Sequence, residues 1–364
     1  MVQGFIYNDG IANIIKMTKQ HKIKGQNQHY VPQLLLKNFA DKNQIYVFDK
    51  HTGRITRKSI RSTCSAEDFY TVHFSELVNE QPKLREVLEK HPLIVDGKRI
   101  STDEIIDLFG FSAEDWLSSI ETNVGSVIKN IINKNSLAGL THLDKFLLCY
   151  FVATQILRTM QQRQHMADII THMKEKLKYF YNPSCGLTLD EFLERETGKN
   201  FLLNQKLLTI EIFKECTLDY AICLITKKMQ LFRSPANMPF YISDHPVIFH
   251  NSRNFESYGN IGLAVPGIEI YMPISSHLCL GFISRDLIFT LPYNVLSFNI
   301  NEQETTEVNV PIQCSKDNLE FLNYRQILFA ERYLCCENMD FDFVKKVLRE
   351  HPQLKHSQFR LQFS

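Results

Sequence analysis

Three short stretches of this chain place proton-carrying and anion-holding side chains beside the ends of regular elements. QNQHYVPQ (26–33) brings His29, Tyr30 and Gln33 to a proline-started helix. QILRTMQQRQH (155–165) carries Gln155, Arg158, Gln162 and His165, and PFYISDHPV (239–247) delivers Ser243, Asp244 and His245 to the end of an apolar strand. Imidazole titrates near neutrality and serves as base, acid or metal ligand. A carboxylate beside it orients the ring or shares a divalent metal, and a guanidinium holds phosphate charge through paired N–H groups. The chemistry these groups could do together is proton transfer or metal-assisted attack on a phosphate-bearing anion. His29, Arg158, Asp244 and His245 are then the catalytic candidates, with Tyr30, Gln33, Gln155, His165 and Ser243 as ligand contacts and a divalent metal as the cofactor the Asp-His pair would accept.

Each stretch also has a plainer reading. The spacing predicts one long helix from Thr141 to about Tyr181, whose apolar stripe of Leu147, Leu148 and Phe151 continues through Gln155, Arg158, Gln162 and His165. Either that face looks into a polar cavity, where amide and guanidinium groups need partners, or the helix leaves the core after Thr159 and its far end is solvated. The Arg158 to His165 spacing resembles the Arg-x4–6-His element of HEPN ribonucleases in this detail alone. Asp244, before Pro246, caps a turn in the plainer account. In NLEFLNYRQILFAERYLCC, the polar residues Asn318, Asn323 and Arg332 interrupt an apolar helix-to-strand unit.

The elements that must position these residues follow from pattern. Pro32 suits the first helical position, with Leu35, Leu36 and Phe39 forming an apolar side. IYVFDK and ITRKSI read as a hairpin with Gly53 in its loop, and DFYTV as a further strand. Ser112 reads as N-cap of an amphipathic helix with Glu114 and Asp115 in its first turn. A helix from about Leu202 to Lys228 completes a bundle. After it the period becomes strand-like in QLFR, PFYIS, PVIFH, GIEIYMPI and LCLGFIS, followed by a helix near 315–330, the strand RYLCC and a terminal helix near 341–350. Cys335 and Cys336 would then face opposite ways, one buried and one exposed. Strands, then helices, then strands predict an α+β fold, a central helical bundle packed with an antiparallel or mixed sheet.

Bulk properties narrow the function classes. Hydrophobic residues make up 44% and charged ones 22%, ordinary globular values. The nine cysteines are never spaced CxxC, which argues against a disulfide framework or a cysteine zinc site. No Walker loop, GxGxxG, HExxH or GxSxG occurs, removing the recognisable ATPases, dinucleotide enzymes, zinc proteases and serine hydrolases. No apolar run reaches bilayer length and the start lacks a secretion signal, so a cytoplasmic location without membrane contact is expected. The net charge is +1, yet residues 10–66 hold eleven Lys/Arg against Asp41 and Asp49. That asymmetry points to nucleic acid or a nucleotide as partner of the segment, or to packing of the segment on the acidic remainder.

HYVPQLLLKNFA followed by IYVFDK, the WLSSIE helix, QILRTMQQR, PFYISDHPV and NYRQILFAERYL resemble, in order, domain-of-unknown-function family 4238 of bacterial proteins. The resemblance covers roughly residues 27–336. Its pattern falls on His29, Tyr30, Pro32, Gln33, Gln155, Arg158, Ser243 and Asp244, and its name leaves the reaction open. The chain accordingly divides into a basic N-terminal arm (1–26), one α+β domain (27–336) and a C-terminal helix and tail (337–364). Within the domain, an N-terminal helix and hairpin (27–74) precede the bundle (75–228) and a β-rich part (229–336). The functional expectation is a phosphodiester-directed enzyme, nuclease-like and acting as a toxin or phage-defence effector. In it His29 or His245 is base or ligand, Asp244 ligand or orienter, and Arg158 the phosphate clamp. The alternative is a non-catalytic sensor that reads a nucleotide or other small anion with Gln33 and Gln155.

Overall fold

The computed structural model describes residues 26–80, 83–90, 94–95, 98–108, 110–182, 184, 186–189, 191–192, 205–253, 261–285 and 310–356. Apart from Gln26, the expected basic arm of residues 1–26 lies outside them. The domain begins directly after it: β1 (Asn27–His29) pairs antiparallel with β4 (Ser65–Glu67). Between them lie α1 (Gln33–Leu36), β2 (Gln44–Asp49) and β3 (Ile55–Ser59). Pro32 is the N-cap of α1 at φ −59° and ψ 143°, one position earlier than expected, because its extended ψ belongs outside the helix. Gly53 closes the β2–β3 hairpin at φ 70°, a conformation that costs a side chain but not glycine.

The helical part opens with β5 (Thr71–His73), α2 (Phe74–Glu80), α3 (Lys83–Lys90), the short pair β6 (Ile94–Val95) and β7 (Lys98–Arg99), α4 (Thr102–Leu108) and β8 (Gly110–Ser112). It continues with α5 (Glu114–Lys134), α6 (His142–Leu157), α7 (Met160–Lys178) and α8 (Gln205–Ile225). Ala113, not Ser112, is the N-cap of α5, although the Ser112 hydroxyl accepts the Glu114 N–H at 3.3 Å. The single helix expected over 141–181 is two helices broken at Arg158 and Thr159. No helix of the described residues is long and apolar enough to cross a membrane.

The strands that follow are β9 (Lys228–Arg233), β10 (Ile242–Ser243), β11 (Ile248–Asn251), β12 (Ile268–Pro273), β13 (Leu278–Ile283), β14 (Ile312–Gln313) and β15 (Tyr333–Cys336). They split between two sheets. One runs β11-β12-β13-β9-β14 with only β14 parallel to its neighbour. The other runs β10-β15-β2-β3, all antiparallel, so the N-terminal hairpin completes a sheet begun at the far end of the chain. The remaining helices are α9 (Lys316–Phe329) and α10 (Asp342–Glu350).

The main core draws Leu35 from α1, Phe39 from the 3-10 turn after it, Val124 and Ile128 from α5, Phe151 from α6 and Leu280 from β13 into one apolar cluster. A second cluster packs Phe341, Val344 and Val347 of the tail against Phe48, Tyr241 and Ile327. This overturns the exposure expected of one residue in the cysteine pair. Cys335 faces the first cluster and Cys336 the second, and both are fully buried because β15 is covered on both faces. The fold is α+β, as the order of periodicities predicts.

Candidate functional site

The break between α6 and α7 builds the centre of the site. Arg158 ends α6 at φ −88° and ψ 1°, and Thr159 restarts the chain as N-cap of α7, its hydroxyl accepting the Gln162 N–H at 3.3 Å. A continuous helix would have given Arg158 only a position on a stripe. At the break its side chain turns into the core. Nη1 meets Glu121 Oε1 at 2.7 Å, Nη2 donates to the His29 carbonyl at 2.5 Å, and Nε lies 3.5 Å from the Tyr70 hydroxyl. Tyr70 in turn donates to the Arg158 carbonyl. One turn earlier Gln155 Nε2 donates to the Tyr30 carbonyl at 2.8 Å. Two side chains of one helix end therefore hold the His29–Tyr30 backbone in place, and every guanidinium nitrogen of Arg158 has a partner.

Around this ion pair the electrostatics are uneven. Glu114 and Glu121 lie seven residues apart on α5, two turns along one side. Burial pushes the Glu114 carboxyl up, against the pull of Arg158 and with a further push from Glu121. Burial lowers the His29 imidazole, opposed by its hydrogen bond to the Ile60 carbonyl at 3.1 Å and reinforced by Arg158. Burial also lowers Arg163 to about 10; its guanidinium donates to the Phe69 carbonyl and lies 3.5 Å from the centre of the Phe69 ring. Glu114 Oε2, Gln155 Oε1 and Arg163 Nε are buried without a hydrogen-bond partner among the described residues. Buried polar atoms left this way call for water, an ion or a ligand. The Arg158 side chain is only 3% exposed while Glu121 keeps 26%, so the ion pair meets solvent on the Glu121 side.

Asp244 occupies a different kind of place. Its carboxylate accepts the backbone N–H groups of Glu331, Arg332 and Tyr333, each at 2.8 Å, at the turn between α9 and β15. Burial outweighs those bonds and the nearby Lys50 ammonium, raising the group to about 6. Lys50, lowered to about 8 by burial, donates to the Ile327 and Ala330 carbonyls at 2.8 and 2.7 Å. Ser243 donates to the His245 carbonyl and to Gln326 Oε1, both at 2.7 Å, and Gln326 Nε2 donates to the Pro246 carbonyl at 2.9 Å. Ser243 and Asp244 thus stitch the strand end to α9 and the turn after it.

His245 turns the other way. Its Nδ1 lies 2.8 Å from the Thr159 hydroxyl, its ring stacks on Phe329, and burial with His165 nearby lowers it to about 3. His29, Tyr30, Gln155 and Arg158 therefore meet directly, and His245 with His165 joins them through Thr159. The phenol of Tyr30 is pushed up by burial and by the fields of Cys64 and Asp244. The amide of Gln33, half-buried on α1, makes no hydrogen bond among the described residues. No group of three or more His, Cys, Asp or Glu able to hold a metal occurs among the described residues.

Sequence alone does not single out Tyr70, Glu121, Arg163, Lys50 or Gln326, nor Glu114 beyond its helix start. Two signals were present. Thr159-Met-Gln-Gln162 has the spacing of a capping box and marks the helix break, and the seven-residue interval of Glu114 and Glu121 marks a shared face. Lys50 and Gln326 carry no local signal, because their partners lie far away in sequence. No curated protein and no solved structure matches the chain. The model of one family, described as a protein of unknown function (DUF4238), matches residues 27–334, and with a match over that span the chain belongs to that family.

Proposed function

We propose that this protein is a phosphodiester-directed enzyme of nuclease type that works by proton transfer at the Arg158 cluster. The observation that carries the reading is the opposite displacement of two groups around one ion pair: Glu114 is biased toward its protonated form and His29 toward its neutral form. Groups pushed apart in this way are suited to act as acid and base at the same pH. His29, near the open side, takes a proton from the attacking hydroxyl, and Glu114 gives one to the leaving oxygen. Arg163 holds the phosphate charge. Arg158 is a positioning residue, since its guanidinium is committed to Glu121, His29 and Tyr70. The surplus of Lys and Arg between residues 26 and 66 supports a polyanionic substrate.

The test is cleavage of a single-stranded RNA oligonucleotide by the full chain, with and without a chelator. His29→Ala and Glu114→Gln are each expected to lower turnover by roughly 10²–10⁴-fold while far-UV circular dichroism stays unchanged. Absence of cleavage, or an E114Q variant as fast as the parent, overturns the proposal. A second reading, a sensor of a small nucleotide, is supported by the unpartnered acceptor on Gln155 and donor on Arg163. Nucleotide binding without turnover, lost in Arg163→Gln, would favour it.

A further inference from the structure

A second group of ionisable side chains gathers where α9 packs against β11. His250 of β11 and Glu269 of β12 stand directly opposite each other in register, so their side chains share one face of the sheet, and Tyr271 two residues on joins them there. From α9, Arg325 Nη2 donates to His250 Nδ1, which leaves the imidazole proton on Nε2. Burial and the Arg325 charge lower His250 to about 4, so the ring is neutral. The Tyr271 hydroxyl donates to Glu269 Oε2. Burial raises the Glu269 carboxyl, against that bond and the field of Arg325. Arg325 and Glu269 attract each other, yet they form no ion pair among the described residues, and Arg325 Nε is buried there without a hydrogen-bond partner. Arg325 Nη1 and Glu269 Oε1 also make no hydrogen bond among the described residues, and neither is sealed from solvent. Phe321, one turn before Arg325 on α9, has its ring centre 5.3 Å from the guanidinium carbon and 4.9 Å from the centre of the His250 ring, and it is 37% exposed.

We infer that this cluster reads a guanine base, whose carbonyl O6 accepts from Arg325 Nη1, whose N1–H and N2–H groups donate to Glu269 Oε1, and whose plane lies on the exposed side of Phe321. Three features decide the class. One cation and one anion beside a neutral histidine carry no net charge, which selects an uncharged ligand bearing both donors and acceptors over a free anion. An aromatic ring left open at the surface selects a flat partner, and unpaired bases stack on such rings while their Watson–Crick edges are hydrogen-bonded. Among the bases, adenine and cytosine offer the carboxylate an amino group and no ring N–H, and uracil offers a ring N–H and no amino group. Guanine offers both, beside a carbonyl for the arginine. Phe321, Arg325 and Phe329 follow at four-residue intervals on α9, so Arg325 stands about 6 Å by helix rise before the ring that stacks on His245, itself hydrogen-bonded to Thr159 of the Arg158 cluster. A base held here belongs to the strand whose phosphate the Arg158 cluster acts on, and in that respect the inference rests on the nuclease reading.

The experiment is calorimetric titration of the full chain with GMP, AMP and UMP, which carry the same phosphate and differ in the base. GMP is expected to bind at least roughly tenfold more tightly than either of the others. Phe321→Ala, at an exposed position, should weaken GMP roughly fivefold or more through loss of stacking, and Glu269→Gln roughly tenfold or more through loss of the charged acceptor. F321A serves alone if the more buried Glu269 variant does not fold. Three results overturn the inference: no GMP binding, AMP or UMP binding as tightly as GMP, or GMP binding in F321A equal to the parent's. The nuclease reading is tested by cleavage and the base site by binding without turnover, so the two fail separately. RNA left uncleaved by a chain that prefers GMP sinks the nuclease reading and supports the base site, whereas cleavage by a chain with no preference for GMP overturns the base site alone.

Discussion

Arg158 and Asp244 are both buried ionisable groups, yet their surroundings differ in kind. Asp244 is held by three backbone N–H groups and faces a lysine that is itself satisfied by two carbonyls. Arg158 is held by one carboxylate, one carbonyl and one phenol, and its neighbourhood keeps three polar atoms without partners. A closed network rigidifies a fold, whereas an incomplete one costs free energy that only a ligand, water or reacting group can recover. The difference separates a lock from a candidate site, though both are built from residues that look equally chemical in sequence.

The largest effect should come from Asp244→Ala. Removing the acceptor strands three buried N–H groups and leaves the Lys50 charge uncompensated, a loss of about 3–5 kcal/mol in urea unfolding. Arg158→Met should cost less, about 2–3 kcal/mol, because the half-exposed Glu121 can regain water. A larger loss in R158M than in D244A would invert the comparison.

Next comes the dependence on pH, where the two regions have opposite signs. His245, linked to the Arg158 side through Thr159, is lowered from 6.5 to about 3 by burial. Its contribution to stability is present above 6.5 and is lost as pH falls toward 3. Asp244 is raised from 3.8 to about 6 by burial. Its contribution is present below 3.8 and is lost as pH rises through 6. Between about pH 4 and pH 6 the slopes oppose, each reaching at most about 1.4 kcal/mol per unit. His245→Asn should therefore make the protein lose stability as pH rises across that window, and Asp244→Asn as pH falls. Urea midpoints of both variants at the two ends of the window check this, and parallel slopes would sink the assignment.

Glu114→Gln should be the mildest change, within about 0.5 kcal/mol of the parent, since it replaces a carboxyl biased toward its neutral form, whose buried Oε2 has no partner among the described residues, by an uncharged amide of the same size. A loss above roughly 2 kcal/mol in the same assay would make Glu114 a structural residue and move the Arg158 region toward the lock it is contrasted with.

Periodicity was enough to place the β2–β3 hairpin, α5, α9, β15 and α10, because local spacing of apolar side chains selects helix or strand wherever one face is buried. The His29, Arg158 and Asp244 stretches were also legible, as polar groups set where polarity is costly. Their roles were not. Whether a buried charge is saturated depends on partners remote in sequence, such as Tyr70 for Arg158 and the 331–333 amides for Asp244. The helix break at Arg158 shows the same limit. Thr159 and Gln162 carry its capping signal, but the stripe of Leu148 and Phe151 continues as Gln155, Arg158 and Gln162 through the break with helical period. Composition, element types and the three chemical stretches were thus determined along the chain itself. Tertiary structure alone decided which charges were closed off and which were left with unpaired neighbours, because hydrogen-bond satisfaction is a property of the whole packed arrangement and not of any one segment.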